Sequence, residues 1–383
     1  MSQKNTALSL HEPIFGSALT SLVLELEHLR RMRLGGTTLP ELFFELKQLF
    51  HYLESVGSAR IEGNNTTIAQ FIETQLEDRP YVNEDIQEIR NIEAGMKWVD
   101  ENAEEFPINR AFISELHKTV VNKLTPPPDG EGDKTPGEYR QHDVSIQGAI
   151  HKPPESLLVN EYMDELFEFM QKDIPSQYHL IRIAIAHHRF MWIHPFGNGN
   201  GRTGRLLTYA MLVQTGFRVH VGQILNPTAV FCIDRDLYHQ YLAKADQGTY
   251  DGMDHWCTYV LEGLSNEIKK IEKLSERSFV CEHLLLPAIN YSLKMKYVDS
   301  DEHTILKIAA EKQVIKAEDI RKVLRDMHHT TVSRKIKALR DKKMLRQIQG
   351  KSTRYRLSFI DSFLLRGIVQ ALTNEGYIPS KNM

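Results

Sequence analysis

One stretch of this sequence concentrates residues that could do chemistry: His194 to Arg205 reads HPFGNGNGRTGR. Its glycines at Gly197, Gly199 and Gly201 remove side chains from a turn that leads into a helix. Such a turn lets backbone N–H groups converge on one point, and the helix N-terminus adds a positive field. The spacing therefore predicts an anion-binding site.

Two arginines and a histidine indicate what this anion site could do. Arg202 and Arg205 are three residues apart on the first turn of the helix, so they share a face. Two guanidinium groups directed at one place suit a polyphosphate. His194 stands at the loop entrance, and its unperturbed pKa of about 6.5 suits a general base near neutral pH. Asn198 and Asn200 add amide donors and acceptors.

Helical periodicity dominates the chain on both sides of this loop. The segment IRIAIAHH alternates like a strand, but its flanks have helical length, so we predict a buried helix there. A Pro/Gly-rich loop precedes VSIQGAIHKPP at 144–154, which predicts a short β-hairpin. We predict helices over 40–53, after an N-cap at Thr66 or Thr67, over 84–103 and 109–122, from about 157, and over 177–193 and 202–215.

The bulk composition narrows the class of protein. At 383 residues, with 41% hydrophobic and 25% charged residues, the chain predicts a water-soluble protein of two or three domains. The sequence contains no apolar run of about 18 residues, so we predict no membrane span. The N-terminus lacks the basic and apolar blocks of a secretory signal, and three scattered cysteines predict reduced thiols. We therefore expect a cytoplasmic location.

The C-terminal part differs from the rest in charge. Between Glu311 and Ser358 there are 15 Lys and Arg against 5 Asp and Glu. Its order of helix, turn, helix and hairpin resembles a winged helix, with residues 331–345 in the recognition position and a buried face at Val332, Ile336, Leu339 and Leu345. Arg334, Lys335 and Lys337 would then meet phosphates or base edges of DNA. A protein partner and a merely solvated helix face are the alternatives.

The stretch HPFGNGNGRTGR resembles the signature of the Fic family, His-Pro-Phe-x-Asp/Glu-Gly-Asn-Gly/Lys-Arg-x-x-Arg. The resemblance implies a helical core with a β-hairpin flap, and transfer of AMP from ATP to a Ser, Thr or Tyr hydroxyl of a target protein. His194 would take the hydroxyl proton. The residues implied to bind the nucleotide from this loop are Asn198, Gly199, Asn200, Gly201, Arg202, Thr203, Gly204 and Arg205.

One position departs from the family pattern. The resemblance implies that the acidic residue of the signature binds Mg²⁺, and this chain has Asn198 there. An amide oxygen can ligate Mg²⁺ but brings no negative charge. We therefore expect Asn198 to be a weak Mg²⁺ ligand.

A second stretch, SARIEGN from Ser58 to Asn64, reads from its residues alone as a helix end followed by a capping glycine. It also resembles the family's inhibitory motif, Ser/Thr-x-x-x-Glu-Gly/Asn, and its place before the core indicates the class with an N-terminal inhibitory helix. The resemblance implies that Glu62 pairs with Arg205 and occupies the space of the ATP γ-phosphate. In some relatives this glutamate is implied to help remove AMP, so a reverse activity stays open.

The segments GEYR at 137–140 and VSIQGAIHKPP at 144–154 resemble the Fic flap, whose edge would hold an extended target segment. An ordinary surface hairpin is the alternative. Further along the chain, Tyr238 lies on a helical stripe, and a stripe of this kind can instead be part of a packed core. The resemblance implies contacts from Ile146, Gln147, Gly148 and Ala149 in the flap, from Tyr238 to adenine, and from Asp246 to the ribose or base edge.

Together these observations predict a mostly α protein: an N-terminal helical region (1–105), a Fic core (106–270), a helical linker (271–300), a winged helix (301–360) and a C-terminal tail (361–383). The favoured function is a protein adenylyltransferase, autoinhibited through Glu62. A Fic-type transferase of UMP or phosphate and a nucleotide-sensing DNA-binding regulator are the alternatives. The sequence leaves open whether the chain forms homo-oligomers.

Overall fold

The computed structural model describes residues 8–31, 37–76, 83–146, 149–216, 229–325 and 327–378. These residues are mostly helical and belong to two compact units. The first unit comprises the described parts of Met1–Arg33, Glu54–Thr66 and Val82–Lys269. The second comprises those of Leu34–Leu53, Thr67–Tyr81 and Lys270–Met383. Each unit is built from segments that are distant in the sequence, and parts of the predicted region 1–105 belong to both units. The boundary between Lys269 and Lys270 lies one residue from the predicted end of the core at 270.

The helices predicted around the glycine loop are confirmed, with shifts of a few residues at their ends. The largest shift is in the second helix, which continues past Leu53 to Ile61 because residues 54–61 are largely buried. Up to residue 275 the helices are α1 (Ala18–Arg31), α2 (Pro40–Ile61), α3 (Ile68–Leu76), α4 (Glu84–Asn102), α5 (Arg110–Val120), α6 (Val159–Gln171), α7 (His179–Ile193), α8 (Asn200–Gln214), α9 (Ala229–Ile233), α10 (Arg235–Ala245) and α11 (Tyr250–Ser275).

Helices α7 and α8 form the centre of the first unit. The segment IRIAIAHH lies inside α7, as predicted, and it is buried on nearly every side. Every residue of α8 from Asn200 to Val213 is buried as well. Helices α4 and α5 pack on α8, and α6 packs on α7. The glycine loop between α7 and α8 is therefore enclosed by helices on several sides.

The flap segment differs from the expected β-hairpin. Its described residues, 143–146 and 149–155, form no paired strands. Ala149 donates its N–H to the Ile146 carbonyl oxygen at 3.2 Å, and Ile150 is 98% exposed. A two-stranded hairpin without further strands or a packed face is marginally stable, which accounts for the difference. Gln147 and Gly148 lie outside the described residues.

Paired strands occur in the second unit, directly after the helices of residues 277–341. β1 (Leu345–Ile348) pairs antiparallel with β2 (Lys351–Leu357), with Leu345 opposite Leu357 and an irregularity between Gln347 and Ile348. An isolated bridge joins Ile315 to Tyr355. The helices of this part are α12 (Arg277–Phe279), continued by a π-helical turn (Val280–Leu285) into α13 (Leu286–Lys294), then α14 (Ser300–Lys312), α15 (Ala317–Val323) and α16 (His329–Asp341).

The predicted inward face of α16 is confirmed: Val332, Ile336 and Leu339 are buried, as is Leu345 at the start of β1. The predicted C-terminal tail contains one more helix, α17 (Leu364–Asn374), whose apolar side chains are buried. In the part of the chain that the structure describes, no helix combines the length and the apolar character needed to span a bilayer.

Candidate active site

His194 follows the last residue of α7 and adopts a left-handed backbone conformation with φ of 52°. This conformation is unfavourable for a residue with a side chain, so neighbouring contacts must hold it. Arg140 provides them. Its Nε donates to the His194 carbonyl oxygen at 2.8 Å, and its backbone N–H donates to the Pro195 carbonyl oxygen at 2.9 Å. Sequence reasoning noted Arg140 only as part of GEYR and missed this positioning role.

The His194 ring is neutral near pH 7. Its Nδ1 lies 3.3 Å from the Met191 carbonyl oxygen, which can only accept, so Nδ1 carries the proton and Nε2 keeps its lone pair. Burial lowers the pKa of His194 to about 4, against the opposing effects of the Met191 hydrogen bond and the Glu62 charge. The side chain is therefore in the protonation state that a general base requires.

Asn200 closes the glycine loop from within. Its Oδ1 accepts the Phe196 N–H at 2.9 Å, and its Nδ2 donates to the Phe196 carbonyl oxygen at 3.0 Å. Gly199 has φ of 73°, and a Cβ there would lie 2.9 Å from Val121 Cγ1. The turn thus requires glycine at 199 for both its backbone conformation and its space. Both ends of the Asn200 amide are used within the loop, where the resemblance implied a phosphate ligand.

Two buried residues from other segments fix the outer side of the loop. Asp133 Oδ2 accepts the Asn198 N–H at 2.9 Å. His117 Nδ1 accepts the Gly137 N–H at 2.8 Å, so its Nε2 carries the proton and donates to the Asn198 carbonyl oxygen at 3.0 Å. Burial lowers the pKa of His117 to about 4 and keeps it neutral. Asp133 is only 8% exposed, so this acid is buried against the loop.

Arg205 is held by the end of α2. Its Nε donates to Ser58 Oγ at 2.7 Å, and its Nη2 donates to the Ser58 carbonyl oxygen at 3.0 Å and to Glu62 Oε1 at 2.7 Å. The predicted Glu62–Arg205 pair is therefore present, with Ser58 as a second partner. A charge-assisted bond of this length between largely buried groups is strong, and losing either partner leaves the other without compensation.

The backbone after α2 presents Glu62 to the loop. Asn64 donates its N–H to the Ala59 carbonyl oxygen at 3.2 Å, and Gly63 donates to the Arg60 carbonyl oxygen at 3.2 Å. This is the Schellman pattern, in which Glu62 is the C-cap and Gly63, with φ of 110°, is the left-handed residue. The capping glycine expected at Gly63 is thus confirmed, and the side chain before it points at α8.

The Glu62 carboxylate lies over the first turn of α8. A Cβ built at Gly201 would come 2.1 Å from Glu62 Oε1. The carboxylate therefore occupies the anion position that the helix N-terminus favours. Burial opposes ionisation of Glu62, but Arg205 and Arg202 outweigh it and hold the pKa of Glu62 below its usual value. Glu62 is consequently ionised near neutral pH.

Arg202 is fully buried and pairs with two acids. Its Nη1 lies 2.8 Å from Glu88 Oε1, and its Nη2 donates to the Glu131 carbonyl oxygen at 2.8 Å. Burial raises the pKa of Glu88, although Arg202 opposes this effect. Arg202 Nε and Arg205 Nη1 are buried donors without a hydrogen-bond acceptor. Buried donors of this kind are costly, and an anionic ligand would satisfy them.

Several predicted nucleotide contacts lie apart from this cluster. Thr203 donates to the Gly199 carbonyl oxygen at 2.9 Å, and Gly204 faces Phe190 and Met191 of α7, where a Cβ would lie 3.0 Å from each. Tyr238 is 1% exposed, and its hydroxyl is 2.8 Å from His187 Nε2. These three residues therefore contribute to packing around the loop.

Asp246 and the flap residues are also separate from the cluster. Asp246 Oδ1 lies 2.9 Å from His188 Nε2, and both residues line a cavity of about 460 Å³ together with Trp192. The described flap residue Ala149 is exposed, and Ile146 is half-buried. Within the described ranges, the hydrogen bonds of Asp246, Arg202, Arg205 and His194 go to other partners, and none joins Asp246, Ile146 or Ala149 to this cluster.

Asn198, the predicted metal ligand, has both ends of its amide engaged. Its Oδ1 accepts the Gly199 N–H at 2.8 Å, and its Nδ2 donates to Glu131 Oε2 at 3.3 Å. Across the described ranges, no three His, Cys, Asp or Glu side chains are grouped closely enough to bind a metal by themselves. A metal bound here would need ligands from its substrate, which is the usual arrangement for Mg²⁺ with phosphates.

The fold and this loop define a class of helical proteins in which a histidine-led, glycine-rich turn opens a helix bearing two arginines. Residues 107–212 match the model of the Fic/DOC family. The chain therefore contains a Fic domain.

Curated relatives share this domain. The chain is 30% identical over 203 residues to "Protein adenylyltransferase Fic" of Drosophila willistoni, covering 52% of this chain and 37% of that protein. It is 30% identical over 205 residues to the protein of the same name from Aedes aegypti, with the same coverage of 52% and 37%. The match spans little more than a third of the length of these relatives.

Solved structures show the same fold. A Fic family protein from Desulfovibrio desulfuricans superimposes with a TM-score of 0.55 at 18% identity, covering 91% of this chain and 98% of that chain. Fic-1 of C. elegans (residues 134–508) gives a TM-score of 0.51 at 20% identity, covering 66% of this chain and 71% of that chain. At these identities the likeness concerns the fold.

Proposed function

We propose that this chain is a protein adenylyltransferase, which moves AMP from ATP onto a Ser, Thr or Tyr hydroxyl of a target protein or of itself. The observation that carries the proposal is the arrangement around the loop: a neutral His194 at the entrance, and buried arginine donors without acceptors at the start of α8. The curated relatives that match the Fic domain carry the name of this activity.

His194 acts as the general base in this mechanism. The target hydroxyl oxygen attacks the α-phosphorus of ATP while its proton moves to His194 Nε2, the ring nitrogen that keeps its lone pair. The bond from the α-phosphorus to the bridging oxygen breaks, and pyrophosphate leaves. Met191 and Arg140 hold the ring and the backbone of His194 in place, so positioning supplies much of the rate.

The first turn of α8 binds the phosphates. Its N–H groups have no acceptor within the helix, and Arg202 and Arg205 supply the charge that neutralises the transferred group and the leaving pyrophosphate. Glu62 already lies at this position, so the conformation described here is autoinhibited. Release of Glu62 from Arg205 is required before the terminal phosphate can take its productive place.

Mg²⁺ fits this proposal through the loop oxygen of Asn198 and the phosphates of the substrate. When bound, the ion would neutralise phosphate charge in the transition state. Because Asn198 contributes an uncharged oxygen, which now accepts the Gly199 N–H, binding of Mg²⁺ requires this hydrogen bond to be exchanged.

A protein target would lie along the flap, where Ala149 is exposed. The free thiols of Cys232, Cys257 and Cys281 support a cytoplasmic location.

The decisive experiment incubates the Glu62→Gly variant with ATP labelled at the α- or the γ-phosphate, and with labelled UTP. Adenylyl transfer predicts label on protein from α-labelled ATP alone, and intact-mass analysis then finds added AMP. Label from the γ-position or from UTP supports the alternative transferases instead. His194→Ala in the Glu62→Gly background should carry no label, and retained labelling there excludes the mechanism.

A second candidate function, DNA binding by residues 301–360, is favoured by exposed cations on α16. Arg334 and Lys337 are exposed, whereas Lys335 is used in ion pairs with Asp299 and Asp301. We expect Arg334→Ala to weaken binding to duplex DNA and to reduce its salt dependence. Lys294→Ala, which removes one exposed charge from α13, is the matched control. Equal DNA affinity in all three proteins would rule out this surface.

A further inference from the structure

Glu131 places a carboxylate beside the loop position where the family signature has its acid. Its Oε2 accepts hydrogen bonds from Asn198 Nδ2 and from Arg202 Nη2, each at 3.3 Å. The Glu131 side chain is 45% exposed, so the carboxylate is open to a ligand from solvent. Asp129, by contrast, is exposed in the same Pro/Gly-rich loop but has no such contact with Asn198 or Arg202.

The backbone at and after Glu131 is fixed. Gly132 donates its N–H to the Thr125 carbonyl oxygen at 2.8 Å, and a Cβ at Gly132 would lie 2.2 Å from the Leu124 carbonyl oxygen. Asp133, the next residue, accepts the Asn198 N–H at 2.9 Å. The Glu131 carbonyl oxygen is itself held by Arg202 at 2.8 Å. The carboxylate is therefore delivered to the glycine loop by an anchored turn.

The surroundings suit a metal bound together with phosphates. Asn198 can offer an uncharged oxygen once that oxygen gives up the hydrogen bond from the Gly199 N–H. Mg²⁺ commonly takes one or two carboxylates from a protein, while phosphate oxygens and waters supply its other ligands. Arg202 Nε, buried and without an acceptor, points to an anionic ligand at the same place. A carboxylate, an amide oxygen and two arginines with open donors are a donor set for a metal–polyphosphate complex.

We propose that Glu131 supplies the carboxylate that position 198 lacks, and that it ligates the divalent cation of metal–ATP. The negative charge usually placed within the loop comes instead from the preceding Pro/Gly-rich segment. This inference rests on the proposed function, since it requires a nucleotide on α8. The alternative is a structural role, in which Glu131 only holds Arg202 in place and binds no metal.

The two roles of Glu131 make different predictions about nucleotide binding. A metal ligand at Glu131 affects the affinity for the cation and leaves metal-free nucleotide binding nearly unchanged. A structural clamp affects the direction of Arg202, so its loss changes nucleotide binding equally with and without metal. Measuring both affinities on the same protein separates the two.

The experiment uses the full chain with Glu62→Gly, which frees Arg205, and titrates Mn²⁺ in the presence of α,β-methylene ATP. Free Mn²⁺ is followed by electron paramagnetic resonance. We expect Glu131→Gln to weaken Mn²⁺ binding by about 10- to 100-fold. Asn198→Asp added to Glu131→Gln should restore tight binding, because the charge returns to the site. Asp129→Asn, the matched loss of one acid from the same loop, should bind Mn²⁺ like its parent.

Two results would overturn the inference: unchanged Mn²⁺ affinity in Glu131→Gln, or an equal loss of nucleotide affinity with and without metal. Thermal melting checks that each variant is folded. Failure of the proposed function gives a different pattern, because the Glu62→Gly parent would then bind no ATP analogue under either condition. That pattern removes both proposals, whereas the first two results remove only the role of Glu131.

Discussion

Arg205 Nη2 lies 2.7 Å from Glu62 Oε1 and 3.0 Å from the Ser58 carbonyl oxygen, so the end of α2 holds one guanidinium at two points. Ser58 Oγ adds a third contact, from Arg205 Nε. The carboxylate also rests against Gly201 on the first turn of α8. Glu62, which lies outside the Fic signature, thus pairs with the positive charge of the predicted phosphate site and also fills its space.

Glu62→Gly should raise self-labelling by α-labelled ATP about 10- to 100-fold, the range expected from losing one charge-assisted bond in a closed state. Glu62→Gln retains an oxygen that can accept from Arg205 but lacks the charge, so it should fall between wild type and Glu62→Gly. The measurement is label per protein against time. Equal labelling of all three proteins would contradict autoinhibition by Glu62.

Gly201→Ala should abolish labelling with little loss of stability. The added Cβ comes 2.1 Å from Glu62 Oε1, on the face of α8 that would receive phosphate, while alanine itself favours a helix. Affinity for α,β-methylene ATP in the Glu62→Gly background reports the effect directly.

Gly204→Ala is the contrasting variant for the same helix. Its Cβ meets Phe190 and Met191 of α7 at 3.0 Å, so it should lower the melting temperature through overpacking and leave nucleotide affinity nearly unchanged. If both variants behave alike, the assignment of one α8 face to phosphate and the other to packing is wrong.

The rate of AMP transfer should not fall as the pH is lowered through the ordinary pKa of histidine. Burial lowers the pKa of His194 to about 4, so the fraction of neutral base stays high as pH falls and decreases only through that lower value. In Glu62→Gly the nearby negative charge is gone, which lowers the pKa of His194 further. We expect kcat/KM of that variant to be flat between about pH 6 and 8. A decline centred on about pH 6.5 would show that His194 is solvated as an ordinary histidine.

Asp133→Ala should slow transfer by loosening the glycine loop. It leaves the Asn198 N–H without its acceptor at 2.9 Å, a loss worth about 1–3 kcal/mol where the donor stays buried. Asp133 contacts the loop through the Asn198 backbone, and its Oδ1 accepts the Thr135 N–H at 2.9 Å. Because neither contact involves Arg202 or Arg205, kcat should fall more than KM for ATP rises. Glu138→Ala removes an exposed acid from the same segment and serves as the control. Unchanged kcat in Asp133→Ala would show that the loop keeps its shape without this contact.

The local sequence was sufficient to predict many of the helices of the fold. Helical periodicity located α4, α5, α7 and α8, because a buried stripe at helical spacing constrains the chain over several turns. It was less informative at 144–154, where the alternation predicted a hairpin, since pairing of strands also needs neighbours that the segment lacks.

The sequence by itself determined the chemical set from His194 to Arg205, because these residues are adjacent and their turn follows from glycine spacing. Only the tertiary structure decided which side chains complete the site. Arg140, His117 and Asp133 act on the loop from 54 to 81 residues away. The pairing of Glu62 with Arg205 across 143 residues was implied by the family resemblance, and the tertiary structure added Ser58 as the second partner of Arg205. A hydrogen bond depends on the distance between two atoms in space. For residues that are far apart in the sequence, this distance is set only when the helices pack against one another.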